Sequence, residues 1–182
     1  MQALAQRLTS ETIGTCLLVV AVVGSGIMAD RLTDDVALAL LCNTIATAAT
    51  LVVLISIFGP VSGAQFNPVV TLVMLLSREM SLAVGLSYCA AQVLGGMLGT
   101  MLAHAMFELP LIEASTHVRT GWGQWLAEFV ATFGLLMTIL SVRKSDPNNI
   151  PFMVGLYIAG AYWFTASTSF ANPAVTIARA FT

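Results

Sequence analysis

The sequence predicts an all-α membrane protein folded as an inverted repeat of helices. Three observations predict it. Charged residues are only 9% of the 182, while 58% are hydrophobic. Five apolar segments have the length of a membrane span. Two shorter apolar segments, each opening with Asn-Pro, sit in matching surroundings at Asn67 and Asn172.

Composition excludes several classes. A soluble domain carries about 25% charged residues. This chain cannot cover a water-facing surface with so few, and its mean hydropathy is +0.90. Its natural solvent is the lipid bilayer. A net charge of −2 offers no basic field, so no nucleic-acid partner is expected. Cys16, Cys42 and Cys89 lie in apolar runs without CxxC spacing, and read as small buried hydrophobes. His104 and His117 have no ligand-like neighbours in sequence. No metal, no cofactor and no catalytic residues are expected.

The expected spans are Leu8–Ala29, Val36–Phe58, Leu82–Phe107, Trp122–Val142 and Ile150–Ala166. A helix needs about 20 residues to cross the hydrocarbon core. Backbone groups in lipid must be satisfied within the element, which makes these segments helices despite many Val and Thr. The first is read as a span and not as a cleaved leader, because Glu11 interrupts its apolar run and no A-x-A site follows. Short polar connections link the spans. With the N-terminus cytoplasmic, Arg7, Arg78, Arg143 and Lys144 lie inside, and Arg31 and Arg119 outside. This asymmetry favours that orientation.

The two Asn-Pro segments form an internal repeat. Ser62-Gly-Ala-Gln-Phe-Asn67-Pro-Val-Val-Thr71 matches Ser167-Thr-Ser-Phe-Ala-Asn172-Pro-Ala-Val-Thr176 at Ser, Asn, Pro, Val and Thr. Each half opens a span with a glutamate, Glu11 and Glu128. An odd number of spans separates the copies, so the second enters from the opposite face. The chain is thus read as one domain, residues 1–182, with repeat one over 1–107 and repeat two over 122–182. Inverted repeats of this kind place half-helix N-termini at a midplane site.

Asn is a favoured N-cap and Pro a favoured first helical residue. Asn67 and Asn172 should therefore cap half-helices starting at Pro68 and Pro173, leaving each side-chain NH₂ free to donate into a pore. Two facing helix N-termini make a positive focus that repels cations. Glu11 and Glu128 are intramembrane carboxylates and hence candidates for function. Their symmetry suits anchors that accept N–H bonds from the re-entrant loops; a proton relay is the alternative.

These residues resemble the major intrinsic protein family, the aquaporins and aquaglyceroporins. Ser62-Gly-Ala-Gln-Phe-Asn-Pro-Val-Val is similar to the family's first loop, SGAHxNPAV. Phe170-Ala-Asn-Pro-Ala-Val resembles the second. Glu11-Thr-Ile-Gly-Thr-Cys-Leu-Leu and Tyr88-Cys-Ala-Ala-Gln92-Val-Leu-Gly-Gly resemble the first and third helices. The resemblance implies six spans, two half-helices and a homotetramer with one pore per subunit. It implies a passive channel for water, glycerol, urea or neutral metalloid hydroxides such as arsenous acid. The pore motifs fall on Asn67, Pro68, Val69, Asn172, Pro173 and Ala174. Counting from the two Asn residues, the outer selectivity filter falls on Thr47, Gly160, Ser169 and Val175.

This chain departs from the family pattern in four places. Gln65 replaces the usual His, and Val69 the first-motif Ala. Val175 stands where most members place the filter Arg, which resembles bacterial members tied to arsenic resistance. The chain stops at Thr182, so the sixth span is expected to be missing. A wide, neutral filter follows. Arg179, one turn after Val175, either compensates in part or is a half-helix-terminal charge. A bacterial inner membrane is the expected location. A truncated, non-conducting subunit and a secondary transporter are the alternatives; the latter would need midplane charges beyond the two glutamates.

Overall fold

A computed structural model describes residues 2–182. Seven α-helices follow in order: α1 (Leu4–Leu32), α2 (Val36–Ser62), α3 (Pro68–Leu76), α4 (Leu82–Met106), α5 (Trp122–Ser145), α6 (Ile150–Phe164) and α7 (Pro173–Ala178). Short 3-10 turns precede α6 and follow α7. No strand occurs among the described residues.

Four helices, α1, α2, α4 and α5, are long and apolar enough to cross a membrane. The fifth expected span is shorter than anticipated. α6 has 15 residues, about 22 Å at 1.5 Å per residue. Pro147 and Pro151 limit it at one end, and the backbone turns extended at Thr165. The outer surfaces of the bundle expose large apolar side chains, such as Leu86, Leu94, Phe129, Phe133 and Leu156. Trp122, Trp125 and Trp163 stand exposed toward the end of the bundle that carries the α4–α5 loop, where an aromatic belt meets the headgroups.

The packing is tightest between α1 and α4. Gly95 and Gly99 lie one turn apart on α4. A Cβ on Gly95 would sit 2.3 Å from the Thr12 carbonyl oxygen, and one on Gly99 2.4 Å from that of Cys16. Only bare backbones approach so closely, which is how small residues spaced by four join helices in lipid. α2 packs against α1 and α6, while α5 leans mainly on α6. The two half-helices enter this frame from opposite ends and meet near its centre, and α4 supports both.

Candidate functional site: the meeting point of two re-entrant loops

Each half-helix begins as its sequence dictates. The Asn67 side-chain oxygen accepts from Val69 N at 2.9 Å, and Asn172 accepts from Ala174 N at 3.0 Å. Pro68 and Pro173 occupy the first helical positions. The amides are not wholly free, however. Asn67 Nδ2 donates to the Ala171 carbonyl at 2.7 Å, and Asn172 Nδ2 donates to the Phe66 carbonyl at 2.8 Å. An amide has two N–H bonds. One from each Asn therefore clasps the opposite loop, leaving one for a solute. The expectation of two free NH₂ groups is corrected accordingly.

The loops reach this geometry through left-handed backbone at non-glycine residues. Ala64 and Phe66 have φ of 46° and 48°; Ser169 and Ala171 have 52° and 45°. Such residues cost of order 1–3 kcal/mol each and persist only when their surroundings hold them. Here a carboxylate gathers the turned N–H groups. Glu11 accepts from Gln65 N at 3.0 Å, Phe66 N at 2.7 Å, Ser62 Oγ at 2.6 Å and Gln92 Nε2 at 2.9 Å. Glu128 accepts from Phe170 N at 2.9 Å and Ala171 N at 2.7 Å. The two clusters are related but unequal. Glu11 is fully buried under α4, whereas Glu128 is half-buried. Gln92 also donates to Thr71 on α3, tying carboxylate, α4 and half-helix together.

A cavity of about 100 Å³ runs past both Asn residues. That is room for a few waters, at about 30 Å³ each in the liquid. Leu18, Val22, Leu51, Val154 and Ile158 give it apolar walls, and Gln65, Asn67 and Asn172 interrupt them. At the end nearer the α4–α5 loop the lining includes Thr47, Tyr162, Ser169, Phe170 and Val175. No charged side chain lines the cavity among the described residues. Two polar atoms on it, Gln65 Oε1 and Ser169 Oγ, are buried without a partner.

Of the assigned pore and filter residues, Pro68, Val69, Gly160, Pro173 and Ala174 do not line the cavity. Gly160 lies on the exposed face of α6 and does not line the cavity. The inward face of α6 carries Val154, Ile158 and Tyr162, spaced by four. At 100° per residue, position 160 points away from that stripe. Counting back from Asn172 assumed a fixed loop length between α6 and α7. From α6, Tyr162 lines the cavity at this level, its hydroxyl donating to Thr47 Oγ1 at 3.2 Å. The i, i+4 spacing of Val154, Ile158 and Tyr162 outlines one face of α6 in the sequence, but does not say that this face turns to the cavity. Val69 is likewise absent from the lining, and Val70 supplies that wall. Ala174 is fully buried against Gly96 of α4.

On the N-terminal side a larger vestibule of about 580 Å³ opens, lined by Arg7, Gln65, Met74, Glu79 and Arg143 among others. Arg143 grips Glu79 with paired bonds of 2.7 and 2.5 Å, linking α5 to the loop after α3. The bonded guanidinium holds the Glu79 carboxyl below the usual carboxylate range. A depressed carboxylate stabilises above its unfolded pKa and loses that contribution as pH falls through its folded value. Both partners are well exposed, so the pair is worth about 0.2–1 kcal/mol. The melting temperature of detergent-solubilised protein should therefore fall on acidification below the free-Glu pKa of about 4.3. In Glu79→Gln the part of the fall due to this pair should be missing. Superimposable pH profiles for the two proteins would discount the pair.

A sequence profile described as the major intrinsic protein family matches residues 1–182. The aquaglyceroporin AqpS of Rhizobium meliloti is 59% identical over 179 residues, covering 98% of this chain and 77% of that protein. The aquaporin TIP2-3 of Arabidopsis thaliana is 34% identical over 182 residues, covering 91% and 71%. Among solved structures, the aquaglyceroporin of Plasmodium falciparum shares the fold, with TM-score 0.71 at 22% identity over 97% of this chain and 79% of that one. A helical bundle with two capped re-entrant loops closing on an uncharged midplane cavity defines a passive channel for small neutral solutes. The chain belongs to the major intrinsic protein family.

Proposed function

We propose that this chain conducts neutral solutes larger than water: glycerol, urea and undissociated metalloid hydroxides such as arsenous acid. One observation carries the reading. Val175, buried beside Ser169 and Tyr162, contributes no charge to the cavity wall, and no other lining side chain does. A neutral, mostly apolar wall imposes little penalty on the carbon or metalloid body of a solute. Its hydroxyls need partners, and these are few and ordered along the path. Ser169 Oγ and Gln65 Oε1 stand unpartnered near either end. Between them each Asn keeps one N–H. Flux is downhill and involves no chemical step.

Tyr162 narrows this reading. The sequence expectation of Gly160 gave a wider filter. With its hydroxyl turned to Thr47, Tyr162 adds bulk to the cavity wall without adding charge. The carbonyls of Phe66 and Ala171 serve chiefly the Asn clasp, which leaves fewer acceptors than the loops alone suggest. The family resemblance supports a homotetramer in a bacterial inner membrane, and the distribution of Arg and Lys supports a cytoplasmic N-terminus.

The test is light scattering of proteoliposomes holding the 182-residue chain, stepped into sucrose, glycerol, urea or arsenous acid. Shrinkage followed by rapid re-swelling in the last three supports the reading. Rates equal to empty liposomes would reject conduction by this chain alone.

A further inference from the structure

α2 brings Thr47, Leu51 and Ile55 to the cavity, one per turn. One turn before Thr47, continuing that stripe toward the α1–α2 loop, stands Asn43. It does not line the cavity. Its amide reaches across to α1 instead, where Nδ2 donates to the Val22 carbonyl at 2.7 Å and to Ser25 Oγ at 2.9 Å. Both acceptors are fixed in α1. The Ser25 hydroxyl donates to its own helix at the Ala21 carbonyl, and the Val22 side chain is itself part of the cavity wall.

Polar side chains of α2 bond to other elements at three positions among the described residues: Asn43, Thr47 and Ser62. Ser62 is the last residue of the helix and fixes its far end. In the half nearer the α1–α2 loop, Asn43 and Thr47 are what hold α2 by hydrogen bonds. Apolar contacts in lipid resist a roll of the helix weakly, because lipid tails are as apolar as the side chains they replace. A hydrogen bond is directional and fixes the rotation.

Thr47 depends on that rotation. Its oxygen accepts from the Tyr162 hydroxyl at 3.2 Å. Thr44 donates to the Leu40 carbonyl one turn back; Thr47 makes no such bond and donates to no group among the described residues. A hydroxyl has one donor and two lone pairs. Thr47 therefore keeps its proton for a solute, and the bond from Tyr162 polarises it.

We infer that Asn43 is a positioning residue for solute selectivity: its clasp on α1 sets the rotation of α2 that presents the Thr47 hydroxyl to the cavity. It acts through Thr47 and touches no solute. Glycerol and urea feel its loss more than water does. Each brings several polar groups into a path with few partners, and a group left unpaired there is costly. Water molecules in file pair with one another.

The inference rests on the cavity being the conduction path, so the experiment reads both. Proteoliposomes with the whole chain are assayed by stopped-flow scattering for glycerol and for water, and the ratio of the two rates is compared. Asn43→Ala should lower the glycerol-to-water ratio about threefold, the worth of one interhelical hydrogen bond in lipid. Thr47→Val, which keeps the shape and removes the donor, should lower it at least as far. In the Thr47→Val background, Asn43→Ala should then change the ratio by less than about 1.5-fold, because the donor it positions is already gone. A residue that only braces the fold would lower both rates together, and by the same factor in either background. An Asn43→Ala ratio equal to that of the wild type overturns the inference, and so does a fall of the same size with and without Thr47. If Asn43→Ala does not fold, Asn43→Ser carries the test. A serine there bonds back to its own helix, as Thr44 and Ser56 do, and lets go of α1. It should lower the ratio in the same way, and an unchanged ratio overturns the inference equally. A wild type that passes glycerol no faster than empty liposomes overturns the conduction reading, and the role of Asn43 with it; every other failure leaves conduction standing.

Discussion

Glu11→Ala abolishes glycerol flux and lowers the thermal stability of the purified protein; this is the largest single-residue effect the structure predicts. Four donors converge on this carboxylate. Truncation strands the buried N–H groups of Gln65 and Phe66, the Ser62 hydroxyl and the Gln92 amide. Each orphaned buried group costs about 1–3 kcal/mol, and loss of a charged acceptor lies at the upper end. Relaxation and entering water recover part of this, leaving about 3–5 kcal/mol. The left-handed residues Ala64 and Phe66 lose what holds them, and Asn67 loses its register with Asn172. Glu128→Ala removes two bonds at a half-buried site and should cost roughly half as much. Melting curves in detergent, with glycerol re-swelling, check both variants. Wild-type flux from Glu11→Ala would show that the loops hold without their anchor.

The second large effect is on selectivity. Val175→Arg should cut glycerol and urea flux at least about tenfold, a barrier increase of about 1.4 kcal/mol or more, while reducing water flux far less. Val175 is 5% exposed and borders the cavity with Tyr162, Ser169 and Thr47. A guanidinium there adds bulk to a space that holds only a few waters, and adds donors that favour water over a carbon body. It also meets Arg179 one turn away, a like-charge pair that should lower stability by a few tenths of a kcal/mol. Separate water and glycerol rates from stopped-flow scattering settle the matter. Unchanged glycerol flux would remove Val175 from the selectivity filter.

Several features of the site are local in sequence and were legible there. Asn-Pro is a helix start wherever it stands, because the cap bond spans two residues and Pro needs no donor. Both half-helices begin where that rule puts them. Glu11 and Glu128 could be singled out because a carboxylate in an apolar run must find donors, and the repeat pairs one with each loop. The apolar segments follow from the demand that lipid makes on the backbone. α6 marks a limit of that argument, since hydropathy measures apolarity along the chain and does not say where an extended turn at Thr165 ends the helix.

Tyr162 and the Asn clasp were out of reach for a different reason. Which side chain on α6 faces the cavity depends on the rotation of that helix against α2, where Gly155 lies against the Ala48 carbonyl and Val52. Packing sets that rotation, and counting from a distant Asn does not recover it. The reciprocal Asn-to-carbonyl bonds join residues more than a hundred positions apart, and so do not show in either loop read alone. For this protein, the sequence by itself determined the solvent, the repeat, the caps and the buried anchors, because each follows from a residue's own chemistry and its near neighbours. Only the tertiary structure decided which side chains line the cavity and which carbonyls the Asn amides clasp, because both depend on helix rotation and loop closure across the whole bundle.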